Sequence, residues 1–240
     1  MIIDIYKKKF EDILIDKGII NDEIVIKAKV LSTEEAIGKP KRQDYPIIKG
    51  KEKLIQANYK GSKGQAFTDA QVDFRGSLSE ILQMDFSDNR NVALLVASIN
   101  SVLKHLGLIS NTIHCKDEEP ITCSGKLANF VKEKYGPSKI ALIGLQPAML
   151  EALAEDNQVR VSDMDKDNIG KYKHGVMVED ASLKTEEIVQ WSDFIIATGS
   201  TVANNSIDSF VTDKEVYFFG TTIAGVAYLM GYERFCTESL

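Results

Sequence analysis

His114-Cys115, Cys123 and Cys236 bring together imidazole and thiol, the donor types that soft and borderline metals prefer. His114 and Cys115 stand beside Lys116, Asp117 and Glu118, so a polar loop presents them and not an apolar run. The interval from Cys115 to Cys123 is not a C-x-x-C, and free cysteine is also a common small buried hydrophobe. Metal ligation and plain packing both stay open for this group.

A second set is made of hydroxyls and backbone N–H groups. Residues 194–197 are a short apolar run that breaks into Thr198, Gly199, Ser200 and Thr201, with Asn204 shortly after. The device recurs where 216–219 run into Gly220-Thr221-Thr222. Short apolar runs rich in β-formers read as strands buried on both faces. In an open parallel sheet, ligands bind at the carboxyl ends of such strands. Two turns of this kind would make a polar cup, or they are ordinary strand-to-helix turns whose Ser and Thr cap helices. Gly199 suggests a backbone that needs positive φ or a close ligand approach. Asn204 either faces the cup or caps the short helix behind it.

A third set begins at Gly144, where a strand, a glycine turn and a helix opened by Pro147 would make a generic anion site. Asp163 follows 19 residues after Gly144 and Asp165 follows 21 after it, near the spacing of a ribose-binding acid. Gly-Leu-Gln-Pro is not G-x-G-x-x-G, which argues against a dinucleotide held in the usual way, and the two aspartates also suit capping. No nucleophile triad is evident around Ser200 or Thr201. Lys63, in Gly-Ser-Lys-Gly, leads into a strand and not the helix that a phosphate loop needs.

The bulk composition narrows the classes. With 240 residues the chain suffices for one large domain or two small ones, and 44% hydrophobic with 27% charged is ordinary globular composition. A net charge of −6 disfavours a nucleic-acid backbone as partner. No apolar run reaches the roughly 20 residues that span a bilayer, and the N-terminal charges have no apolar region behind them. A cytoplasmic protein with three reduced cysteines is the expectation.

The elements that must position these residues follow from periodicity. Residues 2–17 place Ile2, Tyr6, Phe10, Ile13 and Leu14 on one helical face. Strands are expected at 23–31, 54–59 and 65–68, joined as an antiparallel meander around a tight turn at 61–64. The stretch 32–50, with Gly38, Pro40, Pro46 and Gly50, reads as a loop. Helices follow at 77–83 and 91–106. Residues 110–124 read as a polar crossing. From Gly125 onward helix and strand alternate: a helix at 127–135, strands at 139–143, 159–162 and 175–178, a helix at 185–191, then strands at 194–197, 216–219 and 234–236. That alternation implies a parallel sheet covered by helices.

These landmarks resemble the heavy-metal chelation family, a domain of unknown function. The residues that carry the resemblance are Ile143-Gly144-Leu145-Gln146-Pro147, Asp163-Met164-Asp165, the block from Thr198 to Asn204, and Gly220-Thr221-Thr222, which departs from the family's Gly-Pro-Ser-Thr. The resemblance implies an α/β chain: a small α+β enolase-N-terminal-like lobe over 1–110, then a Rossmann-like domain over 111–240 with a mostly parallel sheet. It implies a site in the cleft between the lobes, near 108–124. Gly144, Pro147, Asp163, Asp165, Thr198, Gly199, Ser200, Thr201, Asn204, Gly220, Thr221 and Thr222 would bind the ligand. His114, Cys115, Cys123 and Cys236 would hold a metal. The expected ligand is a metal ion, a metal chelate or a metallocofactor built on a transition metal. The alternative is an enzyme acting on a small anionic or nucleotide-like substrate in the same cleft. Neither nucleic acid nor membrane is expected as partner, and assembly into a homo-oligomer stays open.

Overall fold

The computed structural model describes residues 1–27, 33–45, 47–49, 52–69 and 72–240. Helix α1 (Ile2–Asp16) buries Tyr6, Phe10 and Leu14 of the expected face, with Ile3 buried and Ile2 and Ile13 only partly so. Strand β1 (Glu23–Lys27) buries Ile24 and Ile26 by simple alternation. The expected continuation to residue 31 lies outside the described residues, as do Pro46 and Gly50 of the expected loop. Within 32–50 a short helix α2 (Thr33–Ile37) replaces part of that loop. Ala36 and Ile37 pack with Tyr45, Ile47 and Leu54, so this segment covers a face of the sheet.

Strands β2 (Lys53–Tyr59) and β3 (Ser62–Thr68) form a hairpin. Its turn is Lys60-Gly61, with φ of 49° and 87°, the positive values that a two-residue hairpin turn requires. The turn thus sits two residues earlier than the expected turn over 61–64. A further strand, β4 (Phe74–Ser77), was not expected, because four residues give too short an alternation to read. The order among the described residues is β3-β2-β1-β4, and each pairing is antiparallel. Ser77 then forms a capping box with Glu80 at the start of α3 (Leu78–Leu82).

Helix α4 (Asn89–His105) is buried on every side over 92–103. It lies between the antiparallel sheet and the second half of the chain. Two glycines allow this. A Cβ on Gly64 of β3 would collide with the backbone of α4, meeting Ala97 O at 2.7 Å. A Cβ on Gly225 would strike Ile99, and Asn100 Oδ1 at 2.9 Å.

Helix α5 (Glu119–Tyr135) starts earlier than expected, so Cys123 and Ser124 are helical and the polar crossing ends near residue 118. The rest alternates as read: β5 (Lys139–Ile143), α6 (Pro147–Ala154), β6 (Gln158–Asp163), a small hairpin of β7 (Tyr172–Lys173) and β8 (Val176–Asp180), α7 (Ala181–Trp191), β9 (Phe194–Thr198), α8 (Ser200–Ala203), a 3-10 turn (Ile207–Ser209), β10 (Val216–Phe219), α9 (Ala224–Met230) and β11 (Glu233–Phe235). Among the described residues the second sheet runs β11-β10-β9-β5-β6-β8-β7, parallel except for the β7–β8 pair. The mixed α/β class with a mostly parallel second sheet is as expected.

Both faces of this sheet are covered. Phe194 and Ile196 of β9 pack with Leu127, Val131, Leu142 and Leu150 on one face. Ile195 and Ala197 point the other way, into a core that also holds Phe10, Ile55, Val96 and Leu103 from the first half. A strand buried on both faces has no polar positions, which is why 194–197 is continuously apolar.

Candidate functional site

The order of the parallel sheet reverses between β5 and β9. From β5 the chain builds outward through β6 and β8, and then returns to lay β9 on the other side of β5. Helices after β5 and β9 therefore cover opposite faces, and a crevice opens at the carboxyl ends of these two strands. Gly144 and Thr198 sit at that point. Gly144 has φ +85°, and a Cβ there would meet the Thr198 methyl, so both conformation and space require glycine. Its N–H donates to Ser162 O at 2.8 Å. Pro147 is buried at the first position of α6, behind the Gln146 N-cap, and does not line the crevice.

Asp163 is part of the framework of the turn. Its Oδ2 accepts the Leu145 N–H at 2.8 Å, and its Oδ1 accepts the Asp165 N–H at 2.8 Å. Asp165 in turn accepts the Asp167 N–H through Oδ1 at 2.9 Å. Burial nonetheless holds the Asp163 carboxyl above its usual range.

Gly199 does not need positive φ. Its backbone is right-handed helical at φ −62°, ψ −17°, which any residue adopts. The requirement is room, because a Cβ would stand 2.8 Å from Ile223 N and 3.0 Å from Ile223 Cβ. The glycine lets the β9 turn press on the start of α9, and no ligand is needed to explain it. Asn204 is no N-cap either. It ends α8, and its Oδ1 accepts from Ser206 N at 3.1 Å and Ser206 Oγ at 2.7 Å. Thr201 Oγ1 donates to Thr198 O at 2.7 Å.

The second turn is fixed from the other half of the molecule. Thr222 Oγ1 accepts the Phe67 N–H of β3 at 3.1 Å. Asn100, buried in α4, donates through Nδ2 to the carbonyls of Gln65 at 2.9 Å, Thr221 at 3.2 Å and Thr222 at 3.0 Å. Its Oδ1 accepts the Gly225 N–H at 2.7 Å. One amide thus joins β3, the turn after β10 and α9. Arg234 Nε donates to Gly220 O at 2.9 Å from behind.

A cavity of about 740 Å³ fills the crevice. Gly144, Asp163, Asp165, Thr198, Gly199, Ser200, Thr201, Asn204, Gly220, Thr221 and Thr222 line it, together with Tyr45, Ile47, Glu52 and Phe67 from the first half. Three side chains on its wall are buried yet find no hydrogen-bond partner: the hydroxyls of Ser162, Thr221 and Tyr45. A buried hydroxyl without a partner costs free energy that a bound group or water would recover.

His114, Cys115, Cys123 and Cys236 line the same cavity. His114 Nδ1 lies 2.6 Å from Cys115 O, and Cys236 Sγ lies 3.0 Å from Ser239 Oγ. Burial lowers the pKa of the His114 imidazole, disfavouring its charged form. Burial also raises the Cys115 and Cys123 thiols, and the proximity of the other thiols adds to the shift. Among the described residues no three His, Cys, Asp or Glu side chains gather closely enough to cage a metal ion.

The sequence reading missed Glu52, Tyr45, Ser162 and Asn100. Asn100 carried a signal, a polar residue inside an apolar helix. Glu52 carried none, as a charged residue before a strand is usually solvated. In the fold it is partly buried on the cavity wall. Burial first, and then the charges of Asp163 and Asp165, push its carboxyl up to about 7.

Residues 128–225 match the model of the DUF364 family, described as "Putative heavy-metal chelation". No curated protein matches the chain. A crystal structure of a DUF364-family protein of unknown function from Pyrococcus horikoshii is similar at TM-score 0.55 and 17% identity, over 92% of this chain and 79% of that one. One from Desulfitobacterium hafniense, also of unknown function, has TM-score 0.49 and 11% identity, over 75% of this chain and 73% of that one. The matched stretch contains the Gly144, Thr198 and Gly220 turns, but not Glu52, His114, Cys115, Cys123 or Cys236. The resemblance to the heavy-metal chelation family, read from those turns and from Asp163-Met164-Asp165, is therefore shown over 128–225, and the Pyrococcus protein shares the fold.

Proposed function

We propose that the protein binds a small molecule, a metal chelate or metallocofactor, in the cavity between its antiparallel and parallel sheets. The observation that carries this is the cavity itself. It lies at the reversal of strand order and is walled from both halves, with buried hydroxyls that lack partners. Its volume falls in the range of small-molecule sites, roughly 300–1,000 Å³. In this reading 1–110 and 111–240 act as two lobes around one ligand, and the Thr198, Thr221 and Thr222 turns form one wall.

The metal half of the reading is supported by the family's description and by the donor types of His114, Cys115, Cys123 and Cys236. The donors do not fit a bare ion, because no three of them form a cage among the described residues. A chelate brings its own donors and needs at most one or two more from the protein. It is the cargo here, and the thiol and imidazole wall would face it.

The test is chemical analysis of freshly, anaerobically purified protein. Denaturation should release a metal together with an organic chelator in equal amounts. Ser200→Phe, which projects a ring into the cavity, should come out empty while remaining folded. Protein that releases neither species and takes up no chelate on titration would sink the reading.

A further inference from the structure

The registers of the parallel sheet set the width of the crevice. Ser162 of β6 pairs with Ile143 of β5, Ile143 with Ala197 of β9, and Ala197 with Phe218 of β10. Ser162 thus stands at one end of a row that crosses four strands. Thr221 stands at the other end, just past the last residue of β10. Three strand spacings separate them, on the order of 14 Å across the sheet. Gly144, Gly199 and Gly220, one after each of β5, β9 and β10, line the cavity along the way with backbone alone. Ile47 and Phe67 line it from the first half and give it apolar surface.

The two ends of this row share a second feature. Ser162 is 0% exposed and Thr221 1%, both line the cavity, and neither hydroxyl has a hydrogen-bond partner among the described residues. Such a hydroxyl can donate and accept, and it costs the fold free energy until a partner answers it. Thr201, after β9 and so between the two, is in a different condition, because its Oγ1 already donates to Thr198 O at 2.7 Å. One elongated molecule would answer both ends. With a hydrogen bond of about 2.8 Å at each, its own polar atoms must stand on the order of 9 Å apart.

We propose that the ligand lies lengthwise across the carboxyl ends of β6, β5, β9 and β10, with one hydrogen-bonding group at Ser162, another at Thr221 and an apolar body between them. Its class is an elongated organic molecule or chelator that is polar at both ends. A compact ion or a single-ring molecule cannot reach both hydroxyls. This deepens the small-molecule reading and rests on it. Ser162 and Thr221 then determine specificity: each weakens the ligand-free fold slightly and strengthens binding.

Neutral probes of graded length test it by calorimetry. 4,4'-Dihydroxybiphenyl carries a hydroxyl at each end of two rings, 4-hydroxybiphenyl at one end only, and hydroquinone at both ends of a single ring. The first should bind about tenfold more tightly than either of the others, the worth of one further buried hydrogen bond. Ser162→Ala and Thr221→Val should each erase that advantage over 4-hydroxybiphenyl. Both variants should unfold at or above the parent's temperature when ligand-free, since each removes a hydroxyl that the fold does not use. Ser98→Ala, which removes a buried hydroxyl bonded to Leu94 O away from the cavity, should leave binding unchanged. Equal affinity for the one-ended and two-ended biphenyls would overturn the proposal, as would undiminished binding of 4,4'-dihydroxybiphenyl in either variant. A variant that unfolds earlier than the parent would also overturn it, by showing that its hydroxyl serves the fold. If none of the three probes binds, this proposal falls, while the small-molecule reading is decided separately by what denaturation releases.

Discussion

At the scale of single residues, Gly199 and Glu52 make different demands. Gly199→Ala should destabilise by about 1–3 kcal/mol, the usual cost of forcing a methyl into a filled space, because Ile223 N lies 2.8 Å from the new carbon. Gly144→Ala should cost more, since positive φ is added to the collision with Thr198. Urea unfolding of the two variants checks the order. The sequence showed that both positions matter but not why. A glycine after a strand looks the same whether it serves φ or a neighbour 24 residues away. Glu52 predicts a pH dependence. Its ordinary value is 4.5 and its folded value about 7, so the folded state holds the proton more tightly. The stability this contributes is fully present below pH 4.5 and is lost as pH rises through about 7. The groups acting on it are burial and the like charges of Asp163 and Asp165. Glu52→Gln should flatten that decline in unfolding curves taken between pH 4.5 and 8. A variant that loses stability with pH as steeply as the parent would show that Glu52 is not the group responsible.

At the scale of elements, α4 is the piece that both halves share. Its apolar stripe was legible, because Val92, Leu95, Val96, Ile99 and Leu103 recur at helical spacing. Its burial on the remaining faces was not, because it depends on α9, a hundred and more residues later. The strands and helices after residue 125 were legible for a related reason. Most of them are apolar runs or helical stripes bounded by Gly, Pro or a cap, whereas α2 and β7 are too short for a period to show and β4, Phe-Arg-Gly-Ser, has no apolar run. The start of α5 was misread because Glu118 and Glu119 resemble loop. Asn100 gives the clearest test of the shared element. Asn100→Leu keeps the volume but leaves the carbonyls of Gln65, Thr221 and Thr222 and the Gly225 N–H without their partner. Each unsatisfied buried group costs about 1–3 kcal/mol, so a loss of roughly 3 kcal/mol or more is expected. Hydrogen exchange at the Gly225 amide should rise with it. A variant as stable as the parent would mean that Asn100 is not the joint between the halves.

At the scale of the molecule, the site exists only where the two sheets face each other, and the sequence could not supply that juxtaposition. It placed the polar turns at strand ends, but the opposite wall comes from Tyr45, Ile47, Glu52 and Phe67, which carry no motif. One part of that wall is a strap. Residues 37–45, with Ile47 beyond them, run over the cavity, and Ile37, Pro40, Tyr45 and Ile47 line it. The strap is tied at Asp117, whose Oδ1 accepts the Lys39 N–H at 2.7 Å. It is tied again at Arg42, which reaches Glu151 on α6 at 2.5 Å and His174 at the β7–β8 turn at 2.9 Å. The Arg42 side chain is 16% exposed and Glu151 50%, so this pair is partly screened and holds geometry more than stability. Arg42→Ala should therefore cost only about 1 kcal/mol in global unfolding. It should instead loosen the strap, raising hydrogen exchange over 37–45 and speeding both entry and release of the chelate recovered from the purified protein, followed by stopped-flow mixing. Affinity should change less than either rate, because Arg42 does not line the cavity and both rates pass through the same opening. Unchanged rates with unchanged exchange would show that the ligand enters elsewhere and that the strap is a fixed wall.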